Sequence, residues 1–510
     1  MSNSRQTARK PCHNCRRSRL LCDRKYPHCA RCASRRTDCL GYGTLWRWTG
    51  AVASRGKLAG QPSSAALCHN QAVVARRDGV DEPDLPSELY AARDGHHDFR
   101  PWPLVSSPLW CLVDPQFRDS SYNHRRYYDY FSSRVCLDLI AHDFSDRNPF
   151  RNLLPLATVY PVLHHVIVAA SAAHMNNQVR NSGSLVPFPT NDALESPTNI
   201  DALTAKHKAL QAMPSALQNI DSIGSDVLLA ATLFLVNVEL LESGNRCWKP
   251  HLEGAAQIMS LIQPLPTLDV ALREYIISDC VIYCILSLTL NPLPSHYGLH
   301  SYLESYRIIP TLEKAVNSYF CCPPEVLDVL LLTSQLYGDK FERVISIEDA
   351  AAISVTLLER VRNVDPISWA NMVPDPSAFM SRFLASSAHR LAAFLYVKQS
   401  GATQIEVDHD EEVEAVIADL YDILQQIPDH DPNFKATAWP TFVIGTTATT
   451  LERRNWVVDR MRRISVTFPW GFVKTAMSNL ELLWELDDGE KSSDGWVYTL
   501  RQLGKSFLMV

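Results

Sequence analysis

Hydrophobic residues recur at the three- and four-residue spacing of amphipathic helices along most of the chain after residue 115. One such stretch follows Pro161, a residue that suits the first turn of a helix. Its hydrophobic stripe comprises Val162, Val166, Ala169 and Ala173. The pattern predicts a helix that begins at Pro161 and packs this stripe against neighbouring elements.

The segment DVLLAATLFLVNVELL has the same spacing at Leu229, Leu233, Val236 and Leu240, and Ser225 can cap its start. Further helical segments are predicted at residues 268–288, 347–361, 377–397, 411–426, 441–464 and 472–486. Strand-like alternation is nearly absent. We therefore predict one large all-α domain of packed helix pairs over residues 115–510.

The most apolar stretch, VLLAATLFLV at residues 227–236, is about half the length that crosses a bilayer, so no membrane span is predicted. Residues 44–104 are rich in Gly, Ser, Pro and charge without hydrophobic periodicity. They predict a linker, which we place at residues 43–114. No heptad repeat follows the N-terminal region, so the chain could act as a monomer or dimerise through its helical body.

Charged residues are distributed unevenly along the chain. Residues 1–60 contain fourteen Lys and Arg against two acids, a balance of +12, whereas the remainder carries −18. A small basic region on an acidic body indicates binding to a polyanion. The N-terminus MSNSRQTARK has no apolar stretch after its basic residues, so we predict no secretory signal and a reducing compartment for the cysteines.

Six of the fourteen cysteines lie within the basic region, in the pattern C-x2-C-x6-C-x6-C-x2-C-x6-C. Three thiolates from each half cannot complete the four-ligand shell that zinc prefers. Six sulfurs satisfy two zinc ions if two sulfurs bridge, so the count favours one binuclear cluster. The predicted ligands are Cys12, Cys15, Cys22, Cys29, Cys32 and Cys39. Residues 10–42 are therefore predicted to form a small zinc-stapled module of two short helices.

Cations surround these thiols in greater number than stabilising thiolates requires. Arg16, Arg17 and Arg19 are predicted to lie on the short helix after Cys15, where guanidinium groups suit phosphate oxygens and the acceptors of guanine. The sequence thus predicts a DNA-reading module with double-stranded DNA as its partner.

The module resembles the fungal zinc binuclear cluster family of transcription factors. The likeness rests on the cysteine spacing, Arg16, the Cys22-Asp23 pair, Pro27 and Gly41-Tyr42-Gly43. It implies that Cys12 and Cys29 bridge the two zinc ions. It also implies that the first helix enters the major groove over a CGG-like triplet, read mainly by Arg19.

Two residues depart from that family's usual pattern. Ser18 and Leu21 stand where basic residues are usual. One contact near the bases and one phosphate contact are therefore weakened or replaced. Our candidate DNA-binding residues are Arg16, Arg17, Ser18 and Arg19.

The body resembles the helical regulatory domain of one branch of these factors. The similar segments are YYDYFSSRVCLDLIAHDFSDRNPFRNLLPLATVYPVLHHVIVAASAAHM, KHKALQAM, WKPHLEGAAQIMSLI and the terminal YTLRQLGKSFLMV. This resemblance implies a nuclear regulator of RNA polymerase II genes, often metabolic or biosynthetic ones, with coactivators or other transcription machinery as further partners. The alternative hypothesis is a zinc-dependent interaction protein whose basic head binds RNA or an acidic protein surface.

Other chemistry-bearing residues are assigned structural roles. His164, His165 and His174 have no metal-site spacing, and His13 and His28 lie beside a sulfur set that is already complete. The acidic residues within 408–412 are typical of a helix N-terminus, where the helix dipole favours negative charge. A second interpretation is an acidic surface that recruits coactivators. Cys280 and Cys284 are spaced for one helix face, with redox sensing as the less favoured role. No phosphate loop, dinucleotide motif or nucleophile–base pair is found, so an enzyme is not predicted.

Overall fold

A computed structural model describes residues 10–39 and 122–510 of the chain, with short gaps. The gaps fall at residues 13–14, 17, 26–28, 36–38, 145–146, 183–195, 263–266, 294–298, 300–302, 304–306, 374, 402–410 and 488–494. The described residues divide between two compact units, a cysteine-rich unit and a helical unit. The predicted linker 43–114 lies outside them, as do His13, Arg17, Pro27 and His28.

Helices account for nearly all regular structure in the described residues. One short helix, α1, lies in the cysteine-rich unit at Ala30–Ser34. The helical unit begins with α2 (Tyr122–Tyr130), α3 (Cys136–Asp138), α4 (Leu153–Ala157), α5 (Pro161–Ser182), α6 (Pro197–Gln218), α7 (Ile220–Ile223), α8 (Ser225–Glu242), α9 (Lys249–Ser260) and α10 (Val270–Leu290). It continues with α11 (Ile308–Leu312), α12 (Pro324–Phe341), α13 (Ile347–Arg362), α14 (Pro366–Ala370), α15 (Phe379–Gly401), α16 (Glu411–Gln425), α17 (Ala438–Gly445), α18 (Leu451–Thr467), α19 (Phe472–Asp487) and α20 (Gly495–Gln502).

The helical unit is built from helices that pack in pairs. The most extensive pairs are α5 with α6, α5 with α8, α13 with α15, and α8 with α9. Among the described residues, β-pairing amounts to isolated bridges such as Ile140 with Ser318. The predicted all-α architecture of packed helix pairs is therefore confirmed.

Helix α5 follows the sequence prediction closely. It begins at Pro161, and Val162, Val166, Ala169 and Ala173 are all buried. Proline suits this position because the first N–H groups of a helix have no partner within it. The hydrophobic stripe of α5 therefore lies in the part of its surface that packs against neighbouring helices, chiefly α6 and α8.

Helix α8 differs from its prediction in two ways. The residue that caps it is Gly224, at φ +98, and Ser225 is already helical. The helix is buried on every side from Ser225 to Leu241, instead of along one stripe. Such all-round burial marks α8 as a central helix of the core. Across the described part of the chain, no helix has the length and apolarity needed to cross a membrane.

The segment predicted as one helix at 441–464 forms two. Helix α17 ends at Gly445, and α18 begins at Leu451 with the Thr450 side chain accepting the Arg453 N–H. The carbonyl of Gly445 accepts the indole N–H of Trp484, so the end of α17 is fixed by a side chain from α19. Threonines at 446, 447 and 450 favour the break because their hydroxyls bond to nearby backbone.

A polar network joins the first part of the helical unit to the last. Oδ2 of Asp138 accepts hydrogen bonds from Nε2 of His174 at 2.9 Å and from the indole N–H of Trp470 at 2.8 Å. Nδ1 of His174 lies 2.9 Å from the hydroxyl of Tyr130, which donates to Gln178. These contacts cross the core between segments far apart in sequence, so they fix how the two ends of the unit meet.

Candidate zinc centre and nucleic-acid interface

The cysteine-rich unit is organised around sulfur atoms that converge on one point. Cys12, Cys15, Cys29 and Cys32 are buried, and their Sγ atoms all lie within 4.8 Å of one another. The Sγ atom of Cys12 is 3.6 Å from that of Cys29 and 3.7 Å from that of Cys32. Cys29 Sγ is also 3.8 Å from Cys15 Sγ and 4.0 Å from Cys39 Sγ.

These distances are those of thiolates that share a zinc ion. Tetrahedral zinc with Zn–S bonds of about 2.3 Å places its sulfur ligands about 3.8 Å apart. The observed separations of 3.6 to 4.0 Å fit that value. Sulfur is also a ligand type that zinc prefers. The residues present therefore fit a zinc cluster, which would supply the positive charge that holds the thiolates together.

The backbone builds both halves of the centre in the same way. The N–H of Cys15 donates to Sγ of Cys12 at 3.4 Å, and the N–H of Cys32 donates to Sγ of Cys29 at 3.3 Å. In each C-x2-C pair, the first sulfur thus caps the helical turn that carries the second. The near repeat in the sequence becomes a near repeat in three dimensions.

Cys22 joins the first half of the centre from the irregular segment that follows the turn. Its Sγ accepts the N–H of Cys12 at 3.4 Å. Burial raises the pKa of this thiol, but hydrogen bonds from the backbone of Cys12 and Arg24 and from the side chains of Cys12 and Cys29 together lower the pKa to about 7. Backbone N–H groups therefore stabilise a thiolate at this position.

The sulfurs at the middle of the centre have the opposite tendency. Burial raises the pKa of the Cys12 and Cys15 thiols and raises that of Cys29 to about 12. Without a metal these sulfurs would retain their protons at neutral pH. A bound cation reverses this preference because it interacts directly with the thiolate, so metal binding and thiol deprotonation occur together.

Asp23 links the two halves and was not assigned a role by sequence reasoning. Its Oδ1 accepts the N–H of Ala30 at 3.0 Å, at the start of α1. A carboxylate at this position satisfies a free N–H and interacts favourably with the positive end of the helix. Its position directly after the third cysteine was the signal that could have identified it.

The predicted helix after Cys15 ends earlier than the sequence suggested. Cys15 and Arg16 are helical, but Arg19 lies in the turn that follows, at φ +53. The N–H of Leu20 donates to the carbonyl of Cys15, and the N–H of Arg19 donates to that of Arg16. This pair of bonds is the Schellman arrangement that closes helices, with Arg19 at its left-handed position.

A left-handed backbone carries a cost for arginine. Glycine is usual at this position, and an L-residue there costs about 1 kcal/mol or more. Leu20, the next residue, packs against the cysteine cluster and anchors the turn. Arg16, Ser18 and Arg19 are all exposed. The turn therefore presents cations to solvent on a backbone fixed by the sulfur centre.

The other candidates from the sequence do not form a second site. His164 and His165 lie beside His124, and burial lowers the pKa of His164 to about 3 and that of His165 to about 4. His174 belongs to the Asp138 network instead. Among the described residues, the groups arranged to hold a metal all contain cysteines of the N-terminal unit.

The remaining cysteines and acids have structural surroundings. Cys280 and Cys284 are fully buried on α10, and burial raises the pKa of both thiols, to about 12 for Cys284. Buried thiols of high pKa are poor nucleophiles, which agrees with the structural role. Glu412 lies in the first turn of α16 and pairs with Arg362 and Lys398. Residues 408–410 lie outside the described part.

Comparisons with known proteins agree with both resemblances. A model of the fungal Zn(2)-Cys(6) binuclear cluster domain matches residues 10–48, and that domain binds two zinc ions. The fungal specific transcription factor domain matches residues 126–510. A curated relative, the acriflavine sensitivity control protein acr-2 of Neurospora crassa, is 27% identical over 98% of this chain and 97% of its own. No solved structure matches. The chain is a regulatory protein of the fungal zinc cluster class and not an enzyme, and it belongs to the family defined by the fungal specific transcription factor domain.

Proposed function

We propose that the protein is a sequence-specific regulator of RNA polymerase II genes that binds CGG-like triplets in double-stranded DNA. The observation that carries this proposal is the exposed turn at Arg16–Arg19, whose backbone is fixed to the sulfur centre by Leu20. A rigid guanidinium is suited to the paired acceptors of guanine because little freedom is lost on binding.

The six cysteines Cys12, Cys15, Cys22, Cys29, Cys32 and Cys39 are the proposed zinc ligands, with Cys12 and Cys29 as the bridges. The short distances from Cys12 and Cys29 to sulfurs of the opposite half support that assignment. Zinc would supply the folding free energy of a module too small to bury a sufficient core. We also propose that residues 10–42 form the DNA-binding domain, that residues 43–114 form the linker, and that residues 115–510 form the regulatory domain.

The test is a selection of bound duplexes from a random DNA pool at about physiological salt, using the full chain. At low salt a region of charge +12 would retain any polyanion. Enrichment of CGG-like triplets supports sequence reading, and a second half-site at fixed spacing indicates a dimer. A pool that stays random contradicts the proposal.

Arg19→Gly is expected to weaken binding to the selected site by about 1–3 kcal/mol and to relax preference at the contacted base pair. Glycine suits the left-handed backbone of this position, so the module should remain folded. Binding titrations on selected and random duplexes measure the effect. Arg24→Gly is the matched control, since Arg24 is also an exposed arginine with positive φ, at +58.

Arg16→Ala should weaken binding to selected and random DNA alike, because a phosphate contact carries no sequence information. The dependence of DNA affinity on salt concentration should also decrease, by about the amount expected for the loss of one phosphate contact. If Arg19→Gly gives the same pattern as Arg16→Ala, Arg19 does not read bases. The same titrations also include Arg17→Ala and Ser18→Ala, which complete the proposed surface.

One observation favours the alternative function. Leu21 is 88% exposed, an apolar side chain beside the turn where the family usually has a cation. An exposed leucine is suited to contact with a protein surface, which supports a head that binds a protein partner, while the positive charge of the head suits RNA or an acidic protein surface. Equal affinity for random DNA and single-stranded RNA would favour this interpretation over sequence-specific binding.

We propose that the protein acts in the nucleus and recruits coactivators or other transcription machinery through its helical domain. The family membership supports a nuclear location. The name of the Neurospora crassa relative suggests target genes that set sensitivity to acriflavine, in addition to the metabolic or biosynthetic genes expected from the resemblance. Fluorescence imaging of the tagged full chain tests the location, and genome-wide mapping of bound promoters tests the targets.

A further inference from the structure

A cleft opens on the helical unit where the start of α19 meets the last residues of the chain. Lys474, Thr475, Ser478 and Asn479 form one wall. Asn245 and the segment Lys505, Ser506 and Phe507 form the rest. The cleft has a volume of about 290 Å³ and is partly open to solvent. That volume is at the lower end of the range for small-molecule sites.

The walls of the cleft are held in place by backbone contacts. Asn245 and Phe507 form an antiparallel bridge, and the N–H of Leu508 donates to the carbonyl of Gly244 at 2.8 Å. Gly244 lies at φ +67, and an added Cβ would come within 2.6 Å of the Leu508 carbonyl oxygen. The hydroxyl of Thr475 donates to the carbonyl of Ser243 at 2.6 Å. The cleft is therefore largely formed before any ligand binds.

The charge in the cleft is positive. Nζ of Lys474 donates to the side-chain oxygen of Asn181, a neutral partner, at 2.7 Å. Burial and, to a smaller extent, the nearby charge of Arg180 lower the pKa of Lys474. Lys505 is exposed at the other wall. No carboxylate is present among the described residues that line the cleft.

Neutral hydrogen-bonding groups accompany the two lysines. Ser478, Ser506 and Asn479 face the same space, and Asn479 is only 7% exposed. Lys474 and Thr475 also lie in the first turn of α19, where the helix dipole favours negative charge. Hydroxyls, an amide and two cations are groups that bind oxyanions, whereas an apolar ligand would find few partners here.

We propose that this cleft binds a small anionic molecule that carries a phosphate or carboxylate group. Lys474 and Lys505 bind the anionic group from opposite walls, and the Ser and Asn side chains bind its polar substituents. The proposal concerns the helical domain alone and does not depend on DNA recognition by the cysteine-rich module.

The test uses the full zinc-loaded chain and two simple probes, inorganic phosphate and succinate, at fixed ionic strength. Isothermal titration calorimetry and thermal unfolding are measured up to about 20 mM probe, a range that detects weak binding. The double variant Lys474→Gln/Lys505→Gln should weaken binding at least tenfold. The matched control is Lys208→Gln/Lys314→Gln, which removes two exposed lysines from elsewhere on the helical domain.

Each outcome has a definite meaning. Binding of phosphate but not succinate identifies a phosphorylated ligand, and the reverse identifies a carboxylate. Equal affinity of the wild type, the double variant and the control shows that binding does not depend on the two cleft lysines and overturns the proposal. Absence of binding by both probes also overturns it. If the double variant unfolds, Lys505→Glu alone replaces it, because Lys505 is exposed, and unchanged binding by that variant again contradicts the cleft.

Discussion

Replacing Cys29 with alanine is expected to abolish zinc-dependent folding of the cysteine-rich module and to leave DNA binding undetectable. Cys29 Sγ is close to the sulfurs of Cys12, Cys15 and Cys39, so its loss affects ligands of both halves. Structural zinc contributes on the order of 10 kcal/mol of binding free energy in small modules, far more than the module could lose and remain folded. A metal analysis and a DNA titration on the purified chain measure the effect.

The control for this variant is Cys247→Ala, which makes the same chemical change at an exposed cysteine of the helical unit. It should keep two zinc ions per chain and normal DNA affinity. The helix signal of both variants should remain close to that of the wild type, because the helical domain is a separate compact unit. A Cys29→Ala protein that retains two zinc ions and binds DNA normally would refute the six-thiolate centre.

Replacing Asp138 with alanine is expected to destabilise the helical domain by about 3 kcal/mol. The change removes the acceptor of both Nε2 of His174 and the indole N–H of Trp470 in a largely buried site. A buried donor left without its partner costs about 1–3 kcal/mol, and this substitution leaves two such donors without an acceptor. Urea unfolding followed by circular dichroism measures the difference.

Asp138→Asn should cost less than Asp138→Ala, since the amide retains one acceptor oxygen. Asp129→Ala is the control, because Asp129 is an exposed acid of α2 in the same region. Its replacement should change stability by no more than about 0.5 kcal/mol. Equal losses for Asp138→Ala and Asp129→Ala would show that the network contributes nothing specific.

Local patterns made the helical class predictable. The stripe at Val162 and Val166 predicted α5 because hydrophobic residues recur there at helical spacing, although every residue from Val166 to His174 is buried. A single hydrophobic stripe likewise understated the burial of α8, whose neighbours cover it on all sides. Periodicity along one segment carries no information about how many partners surround it.

Long-range contacts explain the remaining differences. Gly445 ends α17 where Trp484 from α19 binds its carbonyl, and no local pattern indicates that contact. In the cysteine-rich unit, the number and spacing of the cysteines predicted one cluster, and the Sγ atoms of Cys12, Cys15, Cys29 and Cys32 lie within 4.8 Å of one another. The left-handed backbone of Arg19 was missed because arginine is unusual there, and only the hydrogen bonds of the closing turn show it.

The contact between Asp138 and Trp470 has a consequence for synthesis of the chain. The two residues are 332 positions apart. At translation rates of about 5–20 residues per second, Asp138 leaves the ribosome roughly 20–70 s before its partner is made. During that interval the buried faces of α5 and α8 lack the helices that cover them late in the chain. Nascent chains should therefore associate with chaperones, and release should follow translation of α19.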